Sequence, residues 1–369
     1  MGGAKGGVGR FFPSPNRREA VESRNSRALQ CRRVTAVDLT SATKNVLFDD
    51  DLGAQARRTI PLPVPLPAGL PIALPFLGRI DSYQFLGLGR LDVAQALCQG
   101  RDFAPVPYGP DQALIQLSFM RWKSSSVGPY CSSFLGLPVA PRSRRPAAPR
   151  LPMPAAARLL SAFLHAPPVL FVPAYAVGDA PGGPTGCGVA SQRFGWQSLD
   201  MHKTTGRFVV NERDGVTHLQ ALESRRDGAR TNFVTGYSIS LGAPAPGIGG
   251  LRLPMSPTLM PCLPLLAARA AQTMRTRGQQ PGVILVDSVD RPGNTVHIAT
   301  RFTTRPRLHD LTADRRAAFA PLVLRRPAPA GTLGCLLERL AFEPAVALRD
   351  PDMTGAILGP VPRLEDALA

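Results

Sequence analysis

Two short stretches concentrate the side chains best suited to hold a small molecule. The first is Ser118-Phe119-Met120-Arg121-Trp122, followed by Gly128-Pro129-Tyr130; the second runs from Gly188 to Leu199 and contains Gln192-Arg193-Phe194-Gly195-Trp196. Arginine pairs with a carboxylate through two parallel N–H···O bonds, and aromatic rings beside it exclude water. Arg121, Trp122, Tyr130, Arg193 and Trp196 are therefore candidates to line a pocket for a carboxylate-bearing ligand. The same residues also fit a purely structural role, with both tryptophans in a core and both arginines at its rim.

Other reactive types offer less. The six cysteines, Cys31, Cys98, Cys131, Cys187, Cys262 and Cys335, are widely spaced and form no Cys-x-x-Cys pair. Cys131 and Cys187 flank the two stretches, where small buried thiols are expected. His165, His202, His218, His297 and His309 have no ligand-like spacing with each other or with cysteine, so neither a metal nor another cofactor is expected. Gly2 to Arg10 looks superficially like a phosphate loop, but no strand precedes it and Arg10-Phe11 stands where Lys-Ser/Thr would close such a loop. Amines are scarce: the lysines are Lys5, Lys44, Lys123 and Lys203.

The order and context of the two stretches resemble the acetoacetate decarboxylase family, over about residues 60 to 350. The resemblance implies a lysine amine that condenses with a substrate ketone, giving an imine that accepts the electrons released as carbon dioxide leaves. Such an amine must be deprotonated, through desolvation or a neighbouring cation. Laid on the family's aromatic-Gly-Phe-Pro-Lys-Lys pattern, Phe194 to Leu199 put Gln197 at the proline, Ser198 at the Schiff-base lysine and Leu199 at its cationic neighbour. Counting from Tyr130 puts Ser132 at the catalytic glutamate. A hydroxyl cannot form an imine. The remaining amine is Lys203, within Asp200-Met201-His202-Lys203, with His202 or Arg193 as the cation that depresses its pKa. Its plainer role is a solvated lysine at a turn, and Lys123 and His202 have the same plain reading.

These residues imply an acetoacetate-decarboxylase-like protein that binds a small organic acid or ketone without Schiff-base decarboxylation. It is either a divergent enzyme, then a carbon–carbon lyase, or a binding protein that has lost catalysis. The alternative is an active lyase using Lys203, with Ser198 and Ser132 at the reactive positions. A third reading, a basic protein associated with nucleic acid, comes from the net charge of +17. Against it, the arginines are scattered and few aromatics interleave them to stack bases. A cytoplasmic homo-oligomer is expected.

Strands must position these groups. With 39 prolines and 35 glycines, turns and extended segments outweigh long helices. Alternation or β-branched and aromatic content predicts strands at Ala113–Trp122, Phe134–Val139, Val169–Val177, Arg207–Asn211, Thr217–Leu222, Asn232–Ser240, Gly282–Val289 and Thr295–Phe302. Helices are predicted at Leu91–Cys98, Ala155–His165 and Leu333–Leu340, with an extended piece at Phe342–Arg349. The pattern points to a mainly β (β-rich α+β) fold, a closed, cone-like β-barrel with a few peripheral helices. Residues 1–57 are expected to be a disordered basic extension, 58–356 the barrel domain and 357–369 a tail. The uncharged run Thr59 to Gly78 is long enough to span a bilayer. Its repeated prolines remove the backbone donors a spanning helix needs, so an extended arm and no membrane are expected.

Overall fold

Strand β1 (Phe76–Arg90) sits between a partner close by in the chain, β3 (Gln112–Ser125), and a distant one, the C-terminal β13 (Glu343–Val361). The remaining elements, in chain order, are α1 (Leu91–Leu97), β2 (Phe103–Pro105), β4 (Tyr130–Pro141), α2 (Ala155–His165), β5 (Val169–Asp179), β6 (Thr204–Arg213), β7 (Val216–Asp227), β8 (Arg230–Gly242), a 3-10 helix (Pro257–Cys262), α3 (Leu263–Arg275), β9 (Gln280–Asp287), β10 (Thr295–Thr303), β11 (Arg307–Asp310), β12 (Ala318–Val323) and α4 (Leu333–Leu340). The computed structural model describes residues 76–125, 130–142, 152–179, 204–227, 230–242, 255–275, 280–287, 295–304, 306–325 and 330–361. The expected N-terminal extension, most of the proline-rich arm and the segment 180–203 lie outside the described residues.

The fold is β-rich α+β. Pairing runs β5–β9–β10–β13–β1–β3–β4, and β4 pairs again with β5, giving a ring-like sheet. Strand β5 serves two neighbours along one edge. Val169–Phe171 run parallel to Val283–Leu285 of β9, whereas Ala176 and Val177 pair with Thr204 and Thr205 of β6. The sheet then continues through β7 and β8 to β12. Backbone approach is close where β6 leaves β5: a Cβ on Gly178 would lie 1.9 Å from the carbonyl oxygen of Gly206. Asp214 and Gly215, at φ 52° and 70°, make the two-residue turn that joins β6 to β7, the Asp-Gly hairpin signal in its usual conformation.

Side-chain alternation gives the ring strands two buried faces. One carries Tyr83, Phe85, Ile115, Phe119, Leu135, Phe171 and Leu285, covered by Phe208, Leu219, Tyr237 and α4. Leu333, Leu336, Leu337 and Leu340 recur at i, i+3, i+4 and i+7 and bury one side of α4 there. The other face divides in two, a cluster around Trp122, Tyr130 and Phe134 and a cluster under α2 and the 3-10 helix. No helix among the described residues is long and apolar enough to cross a membrane.

Candidate ligand site

Cross-strand register decides which side chains meet. Across β1, β3 and β4 the rows are Ile80–Trp122–Tyr130, Asp81–Arg121–Cys131, Ser82–Met120–Ser132 and Tyr83–Phe119–Ser133. Alternate rows point to opposite faces. Arg121 and Trp122, adjacent in sequence, therefore separate: Trp122, Tyr130 and Ser132 share one face, and Arg121 lies on the other.

On the first face the Trp122 and Tyr130 rings stack, centroids 5.1 Å apart at 11°. Trp122 Nε1 donates to Ser132 Oγ at 3.2 Å, with Ser132 wholly buried. Tyr175 of β5 also hydrogen-bonds Ser132; burial pushes its phenol up to about 12 against that bond. Burial raises the Tyr130 phenol as well. This quartet of indole, two phenols and a hydroxyl is neutral around pH 7.

Charges gather on the opposite face. Arg121 Nη2 donates to Asp81 Oδ2 at 2.6 Å; Asp81 is 2% exposed, and its Oδ1 has no hydrogen-bond partner among the described residues. Burial raises the Asp81 carboxyl pKa, opposed by Arg121 and Arg349. Two residues on, Tyr83 is 1% exposed, its Oη is likewise without a partner among the described residues, and burial followed by the Asp81 charge pushes its phenol up to about 12. Arg349, paired with Tyr83 in register, holds its guanidinium 5.2 Å from the Tyr83 ring centre and donates from Nη2 to Glu212 Oε1 of β6 at 2.8 Å. Deeper on this face Ser133 Oγ donates to the Ser118 carbonyl at 2.8 Å and lies 2.7 Å from Tyr237 Oη. Behind them the buried Glu223 accepts from Thr235 Oγ1 at 2.8 Å and from the Gly334 amide at the start of α4, where the helix dipole favours an anion.

Lys123, the one lysine among the described residues, is at the surface and donates to the Pro351 carbonyl and Asp352. Cys131 is buried in the larger core cluster. Arg193, Trp196, Ser198, His202 and Lys203 lie outside the described residues. The described flanks of that segment are Asp179, opposite Tyr130, and Thr204, opposite Ala176. No group of three His, Cys, Asp or Glu that would hold a metal occurs among the described residues. A groove of about 460 Å³ lies elsewhere, between β8, β12 and α4, lined by Ile239, Phe319, Leu337 and Phe342 among others. Sequence reasoning missed Asp81, Tyr83, Tyr175, Tyr237 and Arg349. For Asp81 a signal existed, a carboxylate two residues before a tyrosine, at alternate positions of one strand.

No family model and no curated protein matches the chain. Among solved structures it is similar to an acetoacetate decarboxylase from Legionella pneumophila, with TM-score 0.45 and 11% identity, covering 82% of this chain and 92% of that one. A second acetoacetate decarboxylase structure gives TM-score 0.39 and 12% identity, covering 85% and 96%. An acetoacetate decarboxylase-like enzyme from Sphingomonas wittichii RW1 gives TM-score 0.38 and 11% identity, covering 79% and 93%. These are likenesses in the course of the chain at low sequence identity, and they give no residue a role.

Proposed function

We propose that this chain is an acetoacetate-decarboxylase-like protein that binds a small organic acid or ketone and does not carry out Schiff-base decarboxylation. The surroundings of Ser132 carry this reading. At the position that the sequence resemblance gives to a catalytic glutamate, a fully buried hydroxyl accepts the Trp122 indole N–H among rings that stay neutral. A serine there brings no carboxylate to take up or return a proton. Lys123, engaged at the surface by Asp352, supplies no desolvated amine.

A second reading, a carbon–carbon lyase using Lys203, has one observation in its favour. Lys203 immediately precedes Thr204, where β6 joins β5 at Ala176, beside the strand that bears Ser132. Carbon dioxide release from acetoacetate by the purified full chain separates the two. The first reading expects release no faster than the uncatalysed background together with measurable binding of small acids or ketones. Turnover that disappears in Lys203→Ala overturns it in favour of the second.

A further inference from the structure

Tyr83 and Asp81 are a buried donor and a buried acceptor on one strand face, each with an atom that no described residue satisfies. Buried polar groups normally find partners, and one small molecule lying between this donor and this acceptor would satisfy both. Resting on the reading above of a small-molecule binding protein, we propose that the ligand is a small monocarboxylic hydroxy acid. Its carboxylate is received by Arg349 and Tyr83, and its hydroxyl donates to Asp81.

Charge and donor count select this class. Arg121 is already held by Asp81 at 2.6 Å, leaving Asp81 Oδ1 as an acceptor that needs a donor. Arg349 is engaged differently: its partner Glu212 is 57% exposed, and an exposed ion pair contributes little. A ligand carboxylate deeper in the fold, beside a buried ring, replaces Glu212 and lets it return to water. Two arginines then face Asp81 and one ligand anion, a balance that a second ligand charge would upset. The Tyr83 hydroxyl stays protonated and donates, and its ring lies beneath the Arg349 guanidinium. A ketone presents acceptors alone and satisfies only Tyr83; a simple carboxylate leaves Asp81 Oδ1 without a donor. Residues two apart on a strand are separated by about 6–7 Å, which suits a ligand of three or four carbons. Access lies past the two guanidinium groups, whose side chains are 38% and 32% exposed at Arg121 and Arg349.

The test is calorimetric titration of the full chain with lactate, 3-hydroxybutyrate, butyrate and butanone. The hydroxy acids are expected to bind about tenfold or more tighter than butyrate and butanone, the size of one charge-assisted hydrogen bond. Arg349→Gln is expected to weaken both acid classes by about tenfold while butanone binding stays unchanged. Tyr83→Phe, which keeps the ring, weakens every ligand, and Asp81→Asn removes the advantage of the hydroxyl. Circular dichroism and melting temperature certify that each variant is folded, and Arg349→Gln, partly exposed, serves if the Asp81 variant does not fold. Equal affinity for hydroxy acid, butyrate and butanone, or unchanged acid binding in folded Arg349→Gln, overturns the inference and leaves the broader reading standing. Absence of binding by any of the four probes overturns both.

Discussion

Strands β1, β3 and β4 show two unlike faces. On one, Trp122 and Tyr175 hydrogen-bond Ser132 and the Trp122 and Tyr130 rings stack, without a formal charge. On the other, one residue away along β1 and β3, Asp81 and Arg121 form a charged set with Arg349 of β13 and Glu212 of β6, in which Asp81 Oδ1 has no partner among the described residues. The first face is desolvated and packed ring on ring around Ser132. Each face keeps a buried hydroxyl without a partner among the described residues, Ser82 Oγ on the first and Tyr83 Oη on the second, but a buried carboxylate oxygen without one, Asp81 Oδ1, lies on the second. A motif read along the chain merges Arg121 with Trp122, whereas pleating keeps them on opposite sides. Charge and ring packing are thus divided between neighbouring residues.

The division can be broken from either side. The largest effect is expected for Trp122→Ala, which removes a fully buried ring and should cost about 3–5 kcal/mol in urea unfolding. Trp122→Phe, which keeps the stack and loses the donor to Ser132, should cost far less. Arg121→Ala comes next: leaving a buried carboxylate without its partner costs about 3–5 kcal/mol when both groups are buried. With the Arg121 side chain 38% exposed, about 2 kcal/mol is expected. Ser132→Ala should lower stability by about 1 kcal/mol and leave ligand affinities within twofold; a large loss of binding would move recognition to the neutral face.

The smallest effect is a difference in pH dependence between the wild type and Asp81→Asn. Asp81 has a folded pKa above its ordinary 3.8, raised first by burial, so the folded state holds a proton that the unfolded chain has released. Its contribution to stability is therefore fully present below pH 3.8 and is lost as pH rises through the folded value. Thermal melts of Asp81→Asn should lack that decline, and parallel curves for the two proteins would remove Asp81 as a buried titrating group.

Much of the fold was legible in the sequence where periodicity is local. Ala155–His165 and Leu333–Leu340 are helices with the expected limits, and Asp214-Gly215 turns a hairpin. Strand β1 was hidden, since it begins at the end of a proline-rich run and Gly87 and Gly89 interrupt its pattern; the Glu343 and Leu340 backbones lie against those two glycines. Helix α3 was hidden by the prolines around its start at Leu263. The meeting of Trp122, Tyr130 and Ser132 follows from two neighbouring strands. The meeting of Tyr83 with Arg349 does not, because it depends on pairing β1 with the last strand, a contact that no local pattern encodes.

The central claim, binding without imine chemistry, is tested most directly by borohydride reduction of the full chain in the presence of acetoacetate or pyruvate, followed by mass spectrometry of its lysine peptides. No substrate-dependent mass increase on Lys203 or Lys123 is expected. A reduced adduct on Lys203 that is absent from Lys203→Ala would contradict the claim.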